Sequence, residues 1–221
     1  MDLVFFIKDR LKFATYFFEN ATKPFVGIIS AIEKEEPPFV PVYDESGEPQ
    51  YLQEWQDART GFESVGLTAL SMVASSLQLF LNDWVRYRLE RRDKPPYKRK
   101  HKKGWFYAYR KILEEVGVDL TACPANLELV EQAVLARNRG QHPETLTMLQ
   151  TTHSKSDLEK YPNPYFVSET DQRVIELDNG ELSWWLSPKV FVDEAKLSTV
   201  VSEVEKLCKW LEEEYWNAVR A

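Results

Sequence analysis

Arg137, Asn138 and His142 are the side chains whose types and spacing point most directly to chemistry, and they fall together in the stretch LARNRGQHPE, Leu135 to Glu144. Arginine offers a planar, permanently charged fork that matches phosphate oxygens. Histidine exchanges a proton near neutral pH, its reference pKa being about 6.5. The two supply a group that holds developing negative charge and a group that moves a proton. Asn138, beside the arginine, can hydrogen-bond the imidazole or a ligand oxygen.

The position of the arginine is as telling as its type. Leu127, Val130 and Val134 recur at helical spacing, and the next member of that apolar series is Arg137. An arginine on a buried stripe must snorkel to solvent, pair with an acid, or point into a polar cavity. Gly140 is expected to end the helix and Pro143 to prevent its continuation, which would carry His142 round the C-terminus towards Arg137.

The elements that must hold this segment are mostly helical. Val4, Ile7, Leu11, Ala14 and Phe18 predict a first helix, broken or restarted at Pro24. Glu36 to Gln50 is rich in turn formers and leads to a long helix from about Tyr51 to Arg92, where Gly61 and Gly66 mark close approach or a bend. Trp105, Tyr109, Ile112, Leu113 and Val116 predict another helix, and Pro124 suits the start of the one carrying the motif. Past Pro143, RVIEL and ELSWWLS flank DNG as a small hairpin, with KVFV as a third strand. A closing amphipathic helix follows, marked by Leu197, Val200, Val201, Val204, Leu207, Leu211 and Tyr215. The chain therefore reads as one mainly α domain over residues 1–221, with 1–50 as an N-terminal helical extension and 165–192 as a β-hairpin insertion.

Composition narrows the possibilities. A chain of 221 residues buries a sizeable core without staples, and its two cysteines, Cys123 and Cys208, encode neither a disulfide framework nor a zinc knot. The N-terminus lacks the layout of a secretory signal, and the longest nearly uncharged run, Val65 to Asn82, carries Ser, Thr and Gln, so a cytoplasmic protein without a membrane partner is expected. The net charge of −7 conceals an asymmetry. Arg91, Arg92, Lys94, Lys98, Arg99, Lys100, Lys102 and Lys103 lie in one segment with a single acid, Asp93, leaving 20 basic and 34 acidic residues elsewhere. Pro95 and Pro96 place this cluster on a loop, where it forms a localised footprint for a polyanion or, on the plainer reading, a solvated linker.

The segment RNRGQH, Arg137 to His142, resembles the signature of the HEPN superfamily, in which Arg, commonly followed by a polar residue such as Asn, precedes a His by four to six residues at the end of a bundle helix. The likeness extends over about residues 51 to 215, and only the motif is distinctive. It implies an up-and-down helical bundle, a homodimer with two motifs facing one cleft, and in many members a metal-independent endoribonuclease of a toxin–antitoxin, antiphage or RNA-processing system. On that basis Arg137 and His142 are catalytic, Asn138 supports them, and neither metal nor cofactor is required. Two histidines across a cleft would act as base and acid, leaving a 2′,3′-cyclic phosphate and a 5′-hydroxyl. The Arg91–Lys103 segment would hold the RNA backbone, with Tyr97 or Trp105 for stacking. Asp83 or Glu63 could complete the site. An antitoxin or other defence-system protein is the further partner implied. Members controlled by an adenylylating antitoxin carry a Tyr two residues after the motif His; Glu144 stands there here, against that mode of control.

Other readings compete. A non-catalytic HEPN module would bind RNA, nucleotide or a partner protein with the same residues, and an adaptor would leave the cleft empty. Arg137 paired with a core carboxylate and His142 acting as a helix-terminal cation would make the motif purely structural. His101 and His153 read as bystanders, and Trp184 and Trp185 as core residues.

Overall fold

The computed structural model describes residues 1–42, 49–90, 104–141, 150–177 and 187–220. Its first helix, α1 (Leu3–Ala21), starts where the Asp2 carboxylate accepts the Phe5 amide at 2.9 Å, and buries Leu3, Ile7, Leu11, Ala14 and Phe18. Thr22 closes it by donating its hydroxyl to the Phe18 carbonyl at 2.7 Å, and α2 (Lys23–Glu33) restarts with Pro24 in its first turn, where a missing amide hydrogen is harmless. The long helix α3 (Leu52–Arg88) follows, then α4 (Trp105–Glu115), a 3₁₀ turn at Leu120–Ala122, and α5 (Leu127–Gln141), which carries the motif. Two short helices, α6 (Lys155–Lys160) and α7 (Glu169–Leu177), precede the closing helix α8 (Glu194–Arg220).

Named contacts fix the helix directions. Arg10 donates to the Ser76 hydroxyl at 3.1 Å while Phe18 packs on Phe62 at 5.9 Å, so α1 and α3 run antiparallel. Lys8 pairs with Glu205 at 3.4 Å, whereas Met1 and Glu212 share Arg88, which makes α8 antiparallel to α1 and parallel to α3. The Asn126 amide donates to the Glu203 carboxylate at 2.7 Å and Gly140 lies against Leu67, so α5 descends between the two ascending helices. The result is a helical bundle in which α3 and α8 touch along their length, flanked by α1 on one side and α5 on the other. Their apolar stripes, with those of α4, form one core around Leu70, Val73, Leu77, Trp84, Tyr109, Val130, Val204 and Leu211. Gly66 is placed by necessity: a Cβ there would come within 2.5 Å of the Val192 carbonyl oxygen, so glycine alone admits the close approach of the segment that leads into α8.

Three expectations change. RVIEL is not a strand; Arg173–Leu177 completes α7, whose start is set by the Ser168 hydroxyl accepting the Asp171 amide at 3.1 Å with Glu169 and Asp171 in the first turn. The remainder of the expected hairpin, residues 178–186, with Trp184 and Trp185, lies outside the described residues, and Lys189 of KVFV makes only an isolated antiparallel bridge with Thr152. The motif helix begins not at Pro124 but at Leu127, because Asn126 caps it by accepting the Leu129 amide at 3.0 Å. Gly140 does not end α5, which continues to Gln141.

The N-terminal helix is no appendage, since α1 shares the core with α3 and α8. Helix α2 differs: it is rich in Phe, Val and Ile, yet none of its residues is buried. Helix α3 is long and apolar enough to cross a membrane by length and composition alone, and 56% of that apolar window is covered by the bundle itself.

Candidate functional site

The last two turns of α5 bring the motif to the surface of the bundle. Arg137 continues the face that Val130 and Val134 bury, and it is only half-buried. Its Nη1 donates to the Asn138 side-chain oxygen at 2.9 Å, while its buried Nε has no hydrogen-bond partner among the described residues. Among the described residues no carboxylate pairs with it, and burial holds its pKa below that of an ordinary guanidinium. Among the described residues α5 thus builds no core ion pair with Arg137. Asn138 orients the fork and leaves one donor edge unsatisfied, an arrangement that an anion's oxygen would complete.

Arg139 has a different task. It donates from Nε to the Thr152 carbonyl at 3.0 Å and so ties the chain after α5 back to the helix. The next residue, His153, is buried: its backbone amide donates to the Pro188 carbonyl at 3.0 Å and its Nε2 contacts the Phe166 carbonyl at 3.0 Å. Because a carbonyl only accepts, Nε2 carries the ring proton. Burial lowers the pKa of this ring, with the Phe166 hydrogen bond acting the other way. His153 is thus a packing residue, in keeping with its reading as a bystander.

One turn beyond Arg137, Gly140 and Gln141 line a cavity of about 390 Å³ against α3, whose other walls include Glu63, Ser64, Leu67 and Thr151. This distinguishes the two acids left open by sequence. Glu63 faces the motif end, with Arg59 3.5 Å away on the same helix, whereas Asp83 lies about 30 Å further along α3 at 1.5 Å per residue. Gln141 also lines a second cavity of about 550 Å³, between α1 and α3, with Asp9, Arg10 and Phe13. Sequence reading passed over Gln141 and the hydroxyls Thr60, Ser64, Thr68 and Ser71, which share one side of α3 at these cavities. Their three-to-four spacing was the available signal, but Ser64 and Thr68 donate to their own helix at 2.8 Å, so those two hydroxyls are left as acceptors.

His142 lies outside the described residues, directly after Gln141 in sequence, as do Arg91, Arg92, Lys94, Tyr97, Lys98, Arg99, Lys100, His101, Lys102 and Lys103. Trp105 is placed, and it corrects the expectation of a stacking platform: it is 8% exposed, packed edge-on against Phe106 and Tyr109 in the core. No protein-family model, no curated protein and no solved structure matches the chain. What stands is the class, a mainly α-helical bundle, and the geometry at the end of α5.

Proposed function

We propose that the chain is a HEPN-type endoribonuclease that cleaves RNA by attack of a ribose 2′-hydroxyl on the adjacent phosphate, with Arg137 and His142 as its catalytic pair. The observation that carries this reading is Arg137 itself: a half-buried charged fork on the apolar side of a helix end, oriented by Asn138, with no carboxylate partner and one buried donor unused among the described residues. A phosphate at this helix end would answer the half-buried charge and offset the cost of its desolvation.

In the reaction, His142 takes the 2′-hydroxyl proton as the oxygen bonds to phosphorus. Arg137 holds the charge that builds on the non-bridging oxygens, and the 5′-oxygen leaves with a proton from the His142 of a second copy. The products are a 2′,3′-cyclic phosphate and a 5′-hydroxyl. Glu63, at the cavity next to Gln141, is the acid best placed to complete the site. The basic segment Arg91–Lys103 supplies charge for the RNA backbone. A role in bacterial toxin–antitoxin or antiphage defence, with an antitoxin or other defence protein as partner, comes with the resemblance.

The test is cleavage of RNA by the purified chain in EDTA, with the product termini identified. His142→Ala and Arg137→Ala should each lower the rate by about 10²- to 10⁴-fold without altering the helical signal. Full activity in His142→Ala would refute the assignment. Salt-sensitive RNA binding with no product from the wild-type chain would favour the non-catalytic HEPN module instead.

A further inference from the structure

Helix α1 is apolar on two sides. Opposite its buried stripe, Phe5, Phe6, Phe13 and Tyr16 are each 55–63% exposed. Helical spacing aligns Phe5, Asp9, Phe13 and Tyr16 along one line, with Lys12 on one flank and Phe6 on the other. The rings cluster there: Phe13 stacks on Tyr16 at 6.4 Å, and Phe5 meets Phe6 edge-on at 5.5 Å. Outer helix faces in water are ordinarily polar. At about 200 Å² per aromatic side chain, these four leave roughly 400–500 Å² of ring surface in solvent, as much as the largest apolar patch of a typical monomer, and such patches are often binding surfaces.

We propose that this face binds a second copy of the chain, α1 against α1, antiparallel about a two-fold axis between Arg10 and Leu11. Three observations select that occupant. The face is self-complementary in this register: Phe5 opposes the partner's Tyr16 at both ends, and Asp9 opposes the partner's Lys12 at both central positions. The area is of the right order, because two copies of the aromatic face offer roughly 900 Å² of exposed ring surface, most of the lower bound of about 1,200 Å² for a specific interface before any polar rim is counted. The face is also continuous with the candidate site, since Asp9, Arg10 and Phe13 wall the same cavity as Gln141. The surface itself rests on α1 alone; its link to catalysis rests on the ribonuclease reading, which requires two histidines.

Sedimentation equilibrium of the full chain at tens of micromolar tests it. The wild type should sediment at twice its mass of 25.9 kDa. Phe5→Asp with Tyr16→Asp should give a monomer of unchanged helicity, since both side chains are solvent-facing. Asp9→Lys or Lys12→Asp alone should weaken association by about tenfold, and the two together should restore it, because the ion pair is then re-formed with reversed sign across the axis. A monomeric wild type overturns the proposal, whether it stays free or floats with anionic vesicles, as does a dimer indifferent to Phe5→Asp/Tyr16→Asp. A dimer dispersed by these variants that never cleaves RNA keeps the surface and removes the ribonuclease reading. Undiminished cleavage by the monomeric variant removes the link between them.

Discussion

Two arginines, Arg88 at the end of α3 and Arg137 near the end of α5, meet burial in opposite ways. Arg88, at the end of α3, donates from Nε and Nη2 to both oxygens of Glu212 at 3.0 and 2.9 Å, and Nη2 also reaches the Met1 carbonyl. Its guanidinium lies 5.3 Å from the ring centres of both Tyr215 and Trp216. Arg137 has Asn138 and an unpartnered Nε. A charge fully answered by its own chain closes three elements together: the N-terminus, α3 and α8. A charge answered only in part among the described residues is what the proposed phosphate contact draws on. The difference teaches that burial alone does not mark an arginine as structural or functional; the inventory of its donors does.

The sharpest way to break that contrast is at the satisfied end. Arg88→Ala leaves the Glu212 carboxylate, itself 10% exposed, without a counter-charge among apolar neighbours, and should cost about 3 kcal/mol of stability by urea unfolding. Because Arg88 stands 124 residues from Glu212, the loss should also loosen the packing of α1 and α8 on α3, visible as faster amide exchange at the chain start. A change under about 0.5 kcal/mol would mean that the clamp is ornamental, and the two arginines would no longer differ.

An intermediate case refines the scale. Arg139 donates from Nε to the Thr152 carbonyl, so Arg139→Ala should destabilise by at least about 1 kcal/mol and leave RNA binding less affected than Arg137→Ala. Beside it, His153 gives a pH signature. Its folded pKa lies below the unfolded value of about 6.5, so the unfolded chain binds the extra proton first. This contribution to stability is complete above about pH 6.5 and is lost as pH falls through the folded pKa. His153→Gln, which can still donate to the Phe166 carbonyl, should flatten that part of the stability profile measured from pH 7 to 5.

How much of this was legible beforehand follows from the range of each signal. The stripes of α1 and α8 and the span of α3 come from repeating local patterns over many residues, and Leu197, Val200, Val204, Leu207 and Leu211 are indeed all buried. Arg137 stood out because it breaks such a stripe. Helix α7 was misread because five residues, RVIEL, satisfy a strand and a helix turn equally well; the deciding cue was Ser168 with Asp171 three residues on, outside that window. The Trp105 error has another source, since adjacency to a basic segment says nothing about which face of α4 a ring takes. Arg88–Glu212, and the choice of Glu63 over Asp83, depend on contacts between distant residues, for which a single sequence carries no register. The outer aromatics of α1 were visible as residues but not as a surface, because only packing shows which of its two apolar faces is taken.

The smallest expected stability change is the most discriminating. Arg137→Met keeps the length and flexibility of the side chain while removing the charge and the unpartnered Nε, so the folded state loses a desolvation penalty together with one hydrogen bond to Asn138. These terms nearly cancel, and the unfolding free energy should stay within about 0.5 kcal/mol of wild type, if anything above it. RNA cleavage should fall by the full factor expected for Arg137→Ala. Stability without activity is the pattern of a group held in the fold for a ligand, and it is the reverse of Arg88→Ala, where the fold itself gives way. If Arg137→Met instead unfolds as easily as Arg88→Ala, then Arg137 holds the bundle together from a position whose donors do not reveal it, and the comparison fails at its more interesting end.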